Sequence, residues 1–260
     1  MTWTNEAGKV SQWDSGKKHY TVYLHNNLLT MMKRLLFSMV MGGLLFVGGN
    51  LSAQNIQLHY DMGHVKDGEL ARNREYFTVT TEMFKPDRLG STFFFIDMNF
   101  NQKDGSAAFA YWEIKRTFKV SKSLKGLNVS VEYNDGTADG SVGFKYVNRS
   151  VLAGAGYDFN LGSWFISTSL QAKKFTELKG LDAQFTLVWN KKFLNNKLAF
   201  TGFMDVWSEK DMTVLLAEPQ LWFPVSKNFE LGAEVEISRN FFTFDKDFEV
   251  MPTLAIKYNL

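Results

Sequence analysis

The sequence of 260 residues contains no cysteine. That excludes disulfide frameworks, zinc knuckles, iron–sulfur clusters and thiol nucleophiles. Proline is nearly as scarce, at 4 residues, so few positions break an extended strand. An excess of one charge is also lacking. Lys and Arg total 29 against 27 Asp and Glu, which leaves +2 and no electrostatic footprint for a nucleic-acid partner. No apolar run reaches the roughly 20 residues that a membrane-crossing helix needs. Disorder is excluded as well, because 45% of the chain is hydrophobic and only 22% charged. What the chain holds in quantity is aromatic: 15% of residues, with 24 Phe.

The longest apolar run, residues 35–47, sits between Met32-Lys33-Arg34 and Gly48-Gly49-Asn50-Leu51-Ser52-Ala53. A short basic start, an apolar middle and a small residue at the end describe an export signal over 31–53, cut near Ala53–Gln54. Leu51 departs from the small residue preferred three places before the cut. Residues 1–30 are polar and without period, and read as an over-extended leader, with Met31 or Met32 as the first residue. Cleavage removes Lys9, Lys17, Lys18, Lys33, Arg34, Glu6 and Asp14. The remaining 207 residues then carry 24 basic and 25 acidic side chains, a net of −1. With no Cys after the cut, a lipid-anchored product is excluded.

The exported part alternates with period two, the mark of a strand with two unlike faces. Phe229, Leu231, Ala233, Val235 and Ile237 oppose Glu230, Gly232, Glu234, Glu236 and Ser238. Val129, Val131 and Tyr133 oppose Asn128, Ser130 and Glu132. Turn residues such as Asn134-Asp135-Gly136, Leu161-Gly162 and Leu194-Asn195-Asn196 divide the runs. The pattern predicts strands near 54–62, 74–85, 91–101, 106–118, 126–134, 140–148, 150–159, 163–175, 182–193, 197–207, 212–223, 228–239 and 248–259. That is thirteen candidates, and twelve is the nearest even count. Over 207 residues, twelve strands leave roughly 17 residues for each strand and its connection, enough for a membrane-spanning strand of about 9–11. Pro219 and Pro252 fall inside predicted strands, where each removes a ladder hydrogen bond and marks a bulge or a strand end.

Several runs reach 11 residues or more, whereas strands of soluble sandwiches average about 5–6. One face is Trp, Phe, Leu, Ile and Val; the other is Glu, Asp, Lys, Asn, Gln, Ser and Thr. An all-β, antiparallel transmembrane β-barrel of 12 strands, occupying residues 54–260, resolves this by inversion. Apolar groups face lipid and polar groups face a lumen. The sequence ends on Leu254, Ile256, Tyr258 and Leu260 alternating with Thr253, Ala255, Lys257 and Asn259, which suits closure. The expected location is the outer membrane of a Gram-negative bacterium, with outer-membrane lipid and the barrel-assembly machinery as partners.

Phe93-Phe94-Phe95-Ile96-Asp97 and Tyr111-Trp112-Glu113-Ile114-Lys115-Arg116-Thr117-Phe118-Lys119-Val120-Ser121-Lys122 resemble early strands of the nucleoside-specific outer-membrane channels, the Tsx-like porins. Leu152-Ala153-Gly154-Ala155-Gly156-Tyr157-Asp158 and Phe200-Thr201-Gly202-Phe203-Met204-Asp205-Val206-Trp207 agree in pattern. The resemblance implies a twelve-stranded barrel with a narrow channel that passes nucleosides. The chain departs from that family in being shorter and in ending on Leu260.

Parity selects inward candidates. If Phe94 and Ile96 face lipid, then Phe93, Phe95 and Asp97 face the lumen. By the same rule Phe109, Tyr111, Glu113 and Lys115 point inward, as do Phe203, Asp205 and Trp207. Each group sets aromatics beside carboxylates, a combination that can stack on a base and hydrogen-bond a sugar. The same residues could instead fill the lumen. Trp164, Trp189 and Trp222 read as membrane-interface residues. No cofactor, metal or catalytic residue is expected. His59 and His64, near the first strand and its following loop, are the only histidines after the cut, and Gly-x-Ser-x-Gly is absent. The reading is a passive channel for small polar solutes, nucleoside-like, and not an enzyme. The alternatives are a non-conducting structural or ligand-binding barrel, or a soluble periplasmic lipid-binding barrel.

Overall fold

The computed structural model describes residues 54–63, 76–101, 104–139, 148–209, 211–241 and 248–260. Twelve strands fill most of that length: β1 (Gln54–Asp61), β2 (Phe77–Pro86), β3 (Gly90–Phe100), β4 (Ala107–Lys119), β5 (Leu127–Ala138), β6 (Ser150–Leu161), β7 (Trp164–Phe175), β8 (Asp182–Phe193), β9 (Leu198–Glu209), β10 (Met212–Pro224), β11 (Phe229–Arg239) and β12 (Glu249–Asn259). Each pairs antiparallel with its sequence neighbour, and β1 pairs with β12, so the sheet closes on itself and leaves no edge. The expected signal peptide, its leader and the 140–148 strand candidate lie almost wholly outside the described residues.

Connections sort by end. At the end where the first and last strands meet the termini, they run 87–89, 120–126, 162–163, 194–197 and 225–228. At the other end they run 62–76, 101–106, 139–149, 176–181, 210–211 and 240–248. On average the connections are shorter at the first end than at the second, the usual asymmetry of outer-membrane barrels. The 194–196 turn is built by Leu194, Asn195 and Asn196, all at positive φ.

The alternation lands as the inversion requires. Leu170, Leu221, Leu231, Leu254 and Ile256 stand exposed on the outside, and Gln57, Ser130, Gln171 and Ser238 are buried inside. On the outer face of β1–β3, Ile56, Val79 and Phe100 pack with Leu58, Phe77 and Met98. Toward the short-turn end an outer aromatic girdle forms. Trp164 meets Phe193 and Phe200 edge-on, Trp189 lies 5.9 Å from Phe200, and Phe229 lies 4.9 Å from Tyr258. Lys191 places its ammonium 4.8 Å from the Trp164 ring, the posture of a cation at a membrane interface.

Two sequence expectations change. Asn134-Asp135-Gly136 does not turn but continues β5. Gly136 faces Tyr111 and Asp135 faces Trp112 across the ladder, while the Tyr133 hydroxyl and the Gly136 N–H donate to Asp135. Satisfying the aspartate within the strand removes its reason to turn. Trp222 is not at the interface: it is 1% exposed and inside the barrel. Inward Gly232 stands opposite, where a Cβ would come within 2.3 Å of the indole, so the missing side chain is the space Trp222 fills.

Both prolines sit where the ladder tolerates them. The β10–β11 pairing skips Glu218 and Pro219, and on the β9 side Pro219 faces Gly202, whose φ of 150° only glycine adopts readily. Pro252 lies just past the last β1 partner of β12, with its carbonyl accepting from the Met62 N–H.

Candidate functional site: the barrel lumen

The strand order places β3 diametrically opposite β9. Phe93, Phe95 and Asp97 on β3 therefore face Phe203, Asp205 and Trp207 on β9 across the lumen. Register fixes the rest of the first wall: Phe95 pairs with Glu113, Phe93 with Lys115, Asp97 with Tyr111 and Asn99 with Phe109. All ten residues selected by parity point inward, on two facing walls. Phe95 contacts the Tyr111 ring at 5.9 Å and the Phe93 ring at 5.8 Å. Phe109 packs with Tyr76 and Ala108 near the loop end, and Trp207 packs with Phe175 and Val214 on the other wall.

Hydrogen bonds hold the polar groups in fixed poses. The Tyr111 hydroxyl donates to Glu113 at 2.5 Å, and Asn134 donates to the same oxygen at 3.2 Å. Thr186 donates to Asp205 and Thr80 to Asp97, both at 2.5 Å. Lys115 pairs with Glu132 at 3.3 Å. Lys173 donates to the Gln184 amide oxygen at 2.7 Å and lies 4.5 Å from the Trp207 ring.

Sequence reasoning missed three features. Gln171, 1% exposed, reaches from β7 past β6 to Ser130 and Glu132 on β5 at 3.4 Å. Inward Gly154 on β6 makes the crossing: a Cβ there would stand 2.9 Å from the Gln171 side chain. The second feature is His59, on β1. It is 4% exposed in the interior, with Nε2 at 2.9 Å from Gln57, Nδ1 at 3.2 Å from Thr253 and 3.8 Å from Glu234. Beside it Trp222 donates to Gln220 at 2.9 Å, and Lys257 sits 3.6 Å from the centre of the indole. The available signal was the alternation of Asn55, Gln57, His59 and Asp61 with Ile56, Leu58 and Tyr60. His64 lies outside the described residues.

The third feature is the reach of the acidic wall. Every strand except β7 carries an inward carboxylate: Asp61, Glu82, Asp97, Glu113, Glu132, Asp158, Asp182, Asp205 with Glu209, Glu218, Glu230 with Glu234 and Glu236, and Glu249, in strand order. Inward lysines are Lys115, Lys119, Lys173, Lys192 and Lys257.

Residues 53–260 match the model of a family described as a domain of unknown function, DUF5020. The chain belongs to the DUF5020 family. No curated protein matches it. Among solved structures, the outer membrane phospholipase A of Escherichia coli superposes with a TM-score of 0.51 at 10% identity, covering 80% of this chain and 97% of that one. The Salmonella typhi outer membrane phospholipase dimer with bound calcium gives 0.50 at 10% identity, covering 79% and 90%. A KdgM porin gives 0.48 at 7% identity, covering 80% and 99%. At these identities the likeness to the phospholipases is one of fold. This DUF5020 chain thus shares a closed, twelve-stranded architecture with outer-membrane barrels.

Proposed function

We propose that this DUF5020 chain is an outer-membrane channel that passes small polar solutes by diffusion. The reading rests on one observation: a closed barrel whose outside is apolar and girdled with aromatics, and whose inside is lined by fixed polar groups. Twelve strands fall between the side-chain-filled eight-stranded barrel and the open sixteen-stranded porin, which makes the passage narrow. Inside it, Phe95, Tyr111 and Glu113 face Phe203, Asp205 and Trp207. Rings beside hydrogen-bond acceptors suit a flat polar aromatic solute, and a nucleoside has that chemistry. Each contact stays weak, because a channel that retains its solute does not conduct. The protein reaches the membrane by export through the 31–53 signal and folds there with the barrel-assembly machinery. It works without a cofactor and without catalysis.

A second reading, a barrel closed by its own side chains, is favoured by interior bonds that skip over strands: Gln171 on β7 to Ser130 and Glu132 on β5, and Lys115 on β4 to Ser169 and Gln171 on β7. Planar-bilayer recording separates the two. Stepwise conductance with nucleoside-dependent block supports the proposal. Conductance that no nucleoside blocks removes the solute assignment, and a silent bilayer leaves the closed barrel.

A further inference from the structure

The two faces of the barrel carry opposite charge imbalances. Within the strands, fourteen inward carboxylates stand against the five inward lysines. The outer face has a single acid, Asp135, against Lys85, Arg116, Lys174, Lys191 and Arg239. The inner excess is not confined to one patch, since it recurs around the whole circumference.

At close range Lys115 cancels one carboxylate, Glu132 at 3.3 Å, and five lysines in all cannot balance fourteen acids. Lys173 gives its ammonium to the Gln184 amide and the Trp207 ring, and Lys257 lies over Trp222. Many carboxylates take their close hydrogen bonds from neutral donors. Gln220 donates to Glu234 at 2.5 Å, Asn259 to Glu230 at 2.7 Å and Ser238 to Glu236 at 2.9 Å, in the same way that Thr80 and Thr186 serve Asp97 and Asp205. A neutral donor fixes the position of a carboxylate and leaves its charge in place. A narrow bore with low-dielectric walls focuses that field on whatever enters.

We propose that the lumen selects for cations: small inorganic cations and ammonium-bearing organic solutes pass in preference to anions. The inference deepens the channel reading and rests on it. Rings of Asp and Glu are the general device of cation-selective pores. A cleft lined by one sign of charge concentrates its counter-ion by about tenfold or more.

The test is the reversal potential of the full exported chain in a planar bilayer under a KCl gradient. The expected permeability ratio of K+ over Cl− is about 10 or more at low salt. It falls toward one near 1 M salt, where the screening length shrinks to about 3 Å. The double variant Glu230→Gln, Glu234→Gln lowers the ratio severalfold, and Asp135→Asn on the outer face leaves it unchanged. The salt series needs no variant, so it decides the matter even if the double variant does not fold. A wild-type ratio at or below one overturns cation selection and leaves the channel standing. A bilayer that never conducts overturns both.

Discussion

Gly232→Ala probes how the lumen is packed. A Cβ at Gly232 would meet Cε3, Cζ3 and Cδ2 of Trp222 at 2.3, 2.6 and 2.7 Å. These are ring atoms of a side chain that is 1% exposed, tied to Gln220 through its Nε1 and capped by Lys257. The indole has no free direction in which to retreat. Overpacking a filled site costs about 1–3 kcal/mol, and a rigid ring puts this site in the upper half of that range. A loss of about 2 kcal/mol is roughly a thirtyfold change in the folded-to-unfolded ratio. The assay is urea unfolding of the barrel in lipid vesicles, followed by circular dichroism and by migration on unheated gels. Trp222→Leu is destabilising in its own right, since it opens a cavity, but it also removes the clash. The double variant is therefore no less stable than Trp222→Leu alone, with a coupling of about 2 kcal/mol. If Gly232→Ala unfolds with the parent, or if the two costs simply add, the packing argument is refuted.

Three further outcomes are expected. Leu170, 64% exposed at the middle of β7, faces lipid, so Leu170→Arg costs about 2–4 kcal/mol when the barrel is folded in a bilayer; unchanged stability in vesicles contradicts that orientation. In the 87–89 turn the Arg116 guanidinium, at 2.6 and 3.0 Å, holds the Asp87 carboxyl well below the usual range, with the Leu89 and Gly90 amides adding to the effect. A depressed folded value contributes stability that is fully present above about pH 3.9 and is lost as the pH falls toward that folded value. Asp87→Asn thus lowers the urea midpoint at pH 7, and the gap to the parent narrows below about pH 3.9; a gap that widens in acid refutes the pairing. Phe95→Ala or Phe203→Ala weakens nucleoside block by about tenfold, the loss expected for one stacked base, and equal block removes that residue from the solute path.

The barrel was legible wherever polar and apolar residues alternate strictly. In β11 the outward set Phe229, Leu231, Ala233, Val235 and Ile237 and the inward set Glu230, Gly232, Glu234, Glu236 and Ser238 need only a period of two to be sorted. The ten predicted lumen residues were found by the same rule, because β3, β4 and β9 each hold a carboxylate that fixes the parity. The rule failed where it was not carried far enough. In β10, Leu221, Trp222 and Phe223 are all apolar and read locally as an interface cluster, although Glu218 and Gln220 set the parity that turns Trp222 inward; the room for its ring comes from another strand, at Gly232. The reach of Gln171 depends likewise on Gly154, so it belongs to register between strands and not to any one of them. At Asn134-Asp135-Gly136 the local turn chemistry lost to two ladders, with β4 and the start of β6, that a single-strand reading does not contain.

The most direct test of the inversion uses the absence of native cysteine, which lets single spin labels be placed along β7 without any background. With Ser169, Leu170, Gln171 and Ala172 each replaced by a labelled Cys in vesicles, collision with oxygen reports lipid and collision with a water-soluble nickel chelate reports the lumen. The account predicts oxygen access at 170 and 172 and chelate access at 169 and 171. The opposite phase, or no alternation at all, contradicts it.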